Sequence, residues 1–176
     1  MIFFQLSATL MAQSAMADSP FDFLLKKETD YERVLVTKII SADTIVLEGG
    51  ETVRLIGIKA PKPPRKKKQA ERDDYGFVIK EDVNPITSIE ERAFNFATEL
   101  LMNKFVRLEF DHEKKTEDFA TYAYAFLVEN NLFVNLEILR QGFANLQIRP
   151  PNTKYDVQLR EAYQEARYER RGLQGE

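Results

Sequence analysis

Between Val34 and Ile58 three runs rich in β-branched residues are separated by two short breaks. Val34-Leu35-Val36-Thr37-Lys38-Ile39-Ile40 and Thr44-Ile45-Val46-Leu47 flank Ser41-Ala42-Asp43, and Gly49-Gly50 leads into Thr52-Val53-Arg54-Leu55-Ile56-Gly57-Ile58. Val, Ile and Thr lose side-chain freedom in a helix and pack well on a pleated surface, so all three runs predict strands. Breaks this short leave room only for hairpins, which makes the unit a three-stranded meander. Such a sheet must close on itself or be covered to bury its apolar face.

The rest of the chain provides for both. Ser88-Ile89-Glu90-Glu91 is a capping box, and Ala93, Phe94, Ala97, Leu100 and Leu101 follow at helical spacing to about Met102. Phe105–Phe110 and Thr121–Val128 read as strands, the second ending at an Asn130-Asn131 turn. Val134–Gln141 reads as a helix stopped by Gly142. Thr153 is the expected cap of a last helix that carries Tyr155, Leu159, Ala162, Tyr163 and Ala166 on one face and ends at Gly172. Three strands, a helix, two strands and two helices predict an α+β, mainly β fold: a five-stranded antiparallel OB-fold barrel with three helices. A chain of 176 residues has room for one such domain.

Two segments lie outside that frame. Residues 1–17 contain no charged side chain and end Ala15-Met16-Ala17, the pattern of a signal peptide cleaved before Asp18. No Lys or Arg stands at its front, and a buried helix of a cytoplasmic protein is the other reading. The stretch is too short to span a membrane comfortably. The expectation is a secreted, periplasmic or envelope protein with no transmembrane span in the mature chain, opening on a polar entry segment, 18–32. Residues 61–87 predict a long exposed loop, since Pro61, Pro63, Pro64 and Pro85 bracket a polar stretch. Lys62, Arg65, Lys66, Lys67, Lys68 and Arg72 make it a candidate nucleic-acid-binding segment, with Tyr75 and Phe77 available for stacking. An anionic membrane surface or a protein partner would suit the same charges, and Glu71, Asp73 and Asp74 would neutralise them in solvent.

The scarce residues limit the chemistry. The chain has no Cys and one His, His112, which excludes thiolate nucleophiles, Cys-based metal sites and multi-His centres. Its 25 Lys and Arg against 28 Asp and Glu give a net charge of −3, without the basic excess of a protein that coats nucleic acid. Catalysis would rest on carboxylates and Arg, groups suited to a hard cation and a phosphate substrate.

Residues 33–173 resemble the staphylococcal-nuclease-like (thermonuclease) domains. The resemblance is carried by Ala42-Asp43-Thr44, by Val53-Arg54-Leu55-Ile56-Gly57-Ile58 with Ala60-Pro61, and by Tyr122-Ala123-Tyr124-Ala125-Phe126. Val134-Asn135 with Leu139-Arg140-Gln141-Gly142-Phe143-Ala144, and Leu159-Arg160 through Arg171-Gly172-Leu173, complete it. It implies an OB barrel with three helices and, in active members, Ca²⁺-dependent hydrolysis of DNA and RNA. Carried over position by position, Asp43 matches a metal-binding Asp and Arg54 a phosphate-binding Arg. The same two residues also read as a turn-stabilising Asp and an ion-paired Arg.

The remaining family positions are replaced. Lys59 stands for the second metal-binding Asp, and Lys62 for the Glu that activates water. Ala120, or Thr121 if the strand is anchored on Val134-Asn135, stands for the second Arg. Leu146-Gln147-Ile148 replaces the stacking tyrosines. Ala60 can still offer a carbonyl. The expectation is a catalytically degenerate domain that binds nucleic acid, an anionic surface or a protein, with no Ca²⁺ held. The alternative is an active metal-dependent nuclease rebuilt around Asp43 and Arg54, drawing on Glu71, Asp73, Asp74 or His112.

Overall fold

The computed structural model describes residues 30–62, Tyr75 and 88–175. The expected signal peptide, all but the end of the entry segment, and Arg65, Lys66, Lys67, Lys68 and Arg72 lie outside the described residues.

The three predicted runs form β1 (Val34–Ser41), β2 (Thr44–Leu47) and β3 (Thr52–Leu55). With β5 (Phe105–Glu109) and β6 (Thr121–Leu127) they close a barrel in the order β1-β2-β3-β6-β5. Closure is by a parallel pairing of β3 with β6, Val53 opposite Thr121 and Leu55 opposite Ala123, where an antiparallel barrel was expected. β3 runs parallel to β1 through β2, and β6 runs parallel to β1 through β5, so β6 meets β3 in the same direction. β1 is the long strand and serves two neighbours. Its first residues pair with β5, Val34 opposite Val106, and the rest with β2. Register shifts after Val36 and Ile39 bend it between the two, as bulges do at barrel corners. Val36, Ile45, Leu47, Val53, Val106, Ala123 and Ala125 fill the interior.

The capping box forms as expected: the Ser88 hydroxyl accepts the Glu91 N–H at the start of α1 (Ile89–Leu101), whose Ala93, Ala97 and Leu101 are buried. α2 (Val134–Arg140) ends before Gly142, which takes φ +74°. The last helix, α3 (Asp156–Tyr168), starts two residues later than a cap at Thr153 would have it, because Tyr155 is held elsewhere. The Tyr155 ring packs edge-on to Tyr124 at 4.7 Å, and its hydroxyl donates to Glu109 at 2.7 Å. Partial burial pushes the Glu109 carboxyl up, but hydrogen bonds from Arg107, Lys154 and Tyr155 outweigh it and bring the group to about 2. This anchored charge ties the root of α3 to the end of β5.

The third predicted strand, Thr52–Ile58, is in fact two. It breaks at Ile56, and β4 (Gly57–Lys59) leaves the barrel to pair with β7 (Asn145–Gln147), a strand the sequence pattern did not announce. Gly57 makes the bend possible. Its φ is +82°, and a Cβ there would lie 2.4 Å from Leu159 Cδ1. The bend is held by Asn135 of α2, whose side chain is fully buried. Asn135 Nδ2 donates to the Ile56 carbonyl at 2.8 Å, and Oδ1 accepts the Ala125 N–H at 3.0 Å. The free backbone groups left by the break therefore find partners inside the protein.

Asn135→Ala strands that carbonyl and N–H in a dry interior. The expected loss is about 3 kcal/mol in urea unfolding, several times that of an exposed Asn→Ala control such as Asn95→Ala.

Candidate nucleic-acid groove

The turn between β1 and β2 places Asp43 with its carboxylate inward, 6% exposed. Both oxygens are occupied. Oδ1 accepts the Ser41 hydroxyl at 2.5 Å and the Thr44 hydroxyl at 2.9 Å. Oδ2 accepts the Ala60 N–H at 3.0 Å and faces Lys59 Nζ at 3.3 Å. Asp43 thus closes its own hairpin and anchors the end of β4. Because β4 has left the barrel, Lys59 and Ala60 arrive at Asp43 across 16 and 17 residues of chain.

Arg54 sits opposite Thr44 in the β2–β3 ladder. Its guanidinium does not reach Asp43; Nη2 pairs at 2.6 Å with Asp118, on the turn before β6. The Thr116 hydroxyl, then Arg54, lower the Asp118 carboxyl from the usual range. Glu51, just after the Gly49-Gly50 turn, accepts Lys115 Nζ at 3.0 Å, the Tyr31 hydroxyl at 3.0 Å and the Thr121 hydroxyl. Partial burial would raise the Glu51 carboxyl, and these donors more than reverse it.

These groups line one groove of about 1500 Å³, with Asp43, Arg54, Lys59, Ala60, Lys62 and Ala120 all on its walls. The sequence-derived positions are thus assembled in one place. Among the described lining residues four acids (Asp43, Glu48, Glu51, Asp118) face four bases (Arg54, Lys59, Lys62, Lys115), and three pairs are formed. Among the described lining residues the charges balance, and Lys62, which makes no ion pair with another described residue, precedes the basic run in the sequence. The Arg54–Asp118 pair separates this groove from a smaller one of about 660 Å³ lined by Tyr122, Gln147 and Arg149.

The donor set does not fit Ca²⁺. That ion takes about six to eight oxygens, usually with several carboxylates. Here Asp43 is the single carboxylate at the turn, its lone pairs are engaged, and an ammonium already faces it. Among the described residues no group of three or more acids or His could hold a metal. His112 lies away from the groove, exposed, with Nδ1 2.7 Å from Asp111. Glu71, Asp73 and Asp74 fall outside the described residues. Glu51, Lys115, Asp118 and Phe119 were not anticipated as groove residues. They lie in polar runs without a motif, and only the barrel brings them to Arg54.

A closed five-stranded barrel with a long groove across β1, β2 and β3 belongs with the OB-type barrels, whose strand faces bind extended polymers. The chain belongs to the staphylococcal nuclease homologue family, whose model matches residues 52–174. It is 32% identical over 165 residues to a thermonuclease of Staphylococcus intermedius, covering 89% of this chain and 84% of that protein. A thermonuclease of Staphylococcus hyicus is 24% identical over 163 residues, with the same coverage of each chain. An uncharacterized protein of Methanocaldococcus jannaschii is 29% identical over 120 residues, 64% of this chain and 58% of the other.

Asp43→Asn should cost about 2 kcal/mol in urea unfolding, because an amide cannot accept from all three donors at once. Lys59→Met should cost about 0.5 kcal/mol, since the ammonium is half exposed. A loss for Lys59→Met equal to that for Asp43→Asn would contradict this account of the turn.

Proposed function

We propose that this chain is a non-cleaving member of its family that retains the groove and uses it to bind single-stranded nucleic acid. The observation that carries the reading is Lys59 Nζ, 3.3 Å from Asp43 Oδ2. The site is supplied with a tethered monovalent cation of its own, which repels a free divalent one. Lys62, in the place of the water-activating Glu, cannot take a proton from water in its charged form. Ala120 offers nothing to a developing phosphate charge, and Arg54 is engaged by Asp118. Removal of one such donor commonly costs ~10²–10³ in rate, and here base, ligand and donor are replaced together.

Binding needs less. A groove of this volume accommodates an extended strand; Lys62 lines it, and Arg65–Lys68 and Arg72, which follow in the sequence, are cations suited to phosphates. The rival reading, a nuclease rebuilt around Asp43 and Arg54, requires both residues to give up the partners they hold. Export of the mature domain forms part of the proposal, supported by the Ala15-Met16-Ala17 pattern; among the described residues no helix is long and apolar enough to cross a membrane.

With single-stranded DNA or RNA the purified protein should give no Ca²⁺-dependent cleavage, and Ca²⁺ should leave its melting temperature unchanged. Lys59→Asp combined with Lys62→Glu should gain Ca²⁺ affinity by calorimetry. Binding to a labelled oligonucleotide should weaken with salt and with Ala at Arg65–Lys68. Cleavage that needs Ca²⁺ and disappears in Asp43→Ala would sink the non-cleaving reading. Amino-terminal sequencing of the exported protein should begin at Asp18; an intact Met1 on the soluble product would remove the export proposal.

A further inference from the structure

The turn that enters β6 is over-determined. Thr116 and Ala120 are buried, the Thr116 N–H donates to the Ala120 carbonyl at 2.8 Å, and the Phe119 N–H donates to the Thr116 carbonyl at 3.0 Å. The Thr116 hydroxyl donates to Asp118 at 2.5 Å and accepts the Ala120 N–H at 2.9 Å. Arg54 holds Asp118 from β3. This framework forces Phe119 to φ +63°, a conformation that costs an L side chain and costs glycine nothing. It also leaves Phe119 88% exposed, so the ring packs on almost nothing. Glycine would relieve the backbone, and any polar residue would relieve the exposed apolar surface. Folding therefore gives no reason for an aromatic ring at the tip of a rigid turn.

The ring stands on the wall of the large groove, which it shares with Lys62, Lys115 and Arg54. The Gly49-Gly50 turn lines the same groove and presents backbone without side chains, with open space where a Cβ would stand. An exposed aromatic on a fixed mount beside cations is the arrangement that holds unpaired bases, ring against ring, while the phosphates find the charges.

We infer that Phe119 is a stacking platform for an unpaired base of single-stranded nucleic acid lying in the groove, an inference that rests on the binding function proposed above. Backbone strain of this kind is tolerated where the surroundings enforce it and the side chain is put to use. The ring contributes affinity without base selectivity, since every base has a face to offer. Duplex nucleic acid, with its bases already stacked, has nothing to place on it.

The chain contains no Trp, so Phe119→Trp creates a unique fluorophore at the tip of the turn. Titration of this variant with a short oligothymidylate should quench the indole to saturation, and duplex DNA of the same length should compete poorly. Phe119→Gly should bind the oligonucleotide about tenfold more weakly while melting at or above the temperature of the parent protein. Equal binding by Phe119→Gly, or an indole unquenched by a ligand that a gel shift shows to be bound, overturns the stacking role and leaves the binding function standing. Equal competition by duplex also overturns stacking. No binding by any variant or by the parent overturns both.

Discussion

The buried amide of Asn135 is the interaction from which the site follows. One small side chain supplies a donor to Ile56 and an acceptor to Ala125, where the third barrel strand abandons its ladder. Interior backbone groups without partners are costly, so a strand leaves a closed barrel only where substitutes are in place. With the bend secured, β4 runs outward to pair with β7, and its last residues come down onto the β1–β2 turn. Every contact of Asp43 with Lys59 and Ala60 depends on that departure.

The groove is a surface of compensated charge. Asp43 with Lys59, Arg54 with Asp118 and Glu51 with Lys115 are each joined across at least 16 residues of chain, two of the three across 64. Partly exposed pairs of this kind contribute little stability each. Their effect here is to set the potential of the wall near neutrality. In the proposed binding role a polymer of phosphates would be drawn by Lys62, which has no ion-pair partner among the described residues, and by the basic run that follows it in the sequence, and held by contacts that do not depend on net charge, such as an exposed ring. A divalent cation would find its place already answered by an ammonium.

Much of this was legible in the chain. Strand runs, the capping box at Ser88 and the stop at Gly142 are local signals, and locally encoded elements formed at the expected places. The expectation that Lys59 and Lys62 stand where the family has acids rests only on position in a motif. Three things were not legible. The break at Ile56 was not anticipated although Gly57 stands beside it, and the side chain that holds the bend lies 79 residues later. The late start of α3 reflects the pull of Glu109 on Tyr155, a contact 46 residues apart. The partner of Arg54 was foreseen only as an acid, and Asp118 has no motif to mark it.

The sequence alone determined the type and order of most elements and the family. Those follow from side-chain shape and from spacing along the chain, which are local properties. The tertiary structure decided which charge meets which, that Lys59 closes on Asp43, that the groove wall is balanced, and that Phe119 stands exposed on a strained turn. Pairing is a matter of distance in space, and the closure of the barrel brings together residues that no pattern in the chain relates.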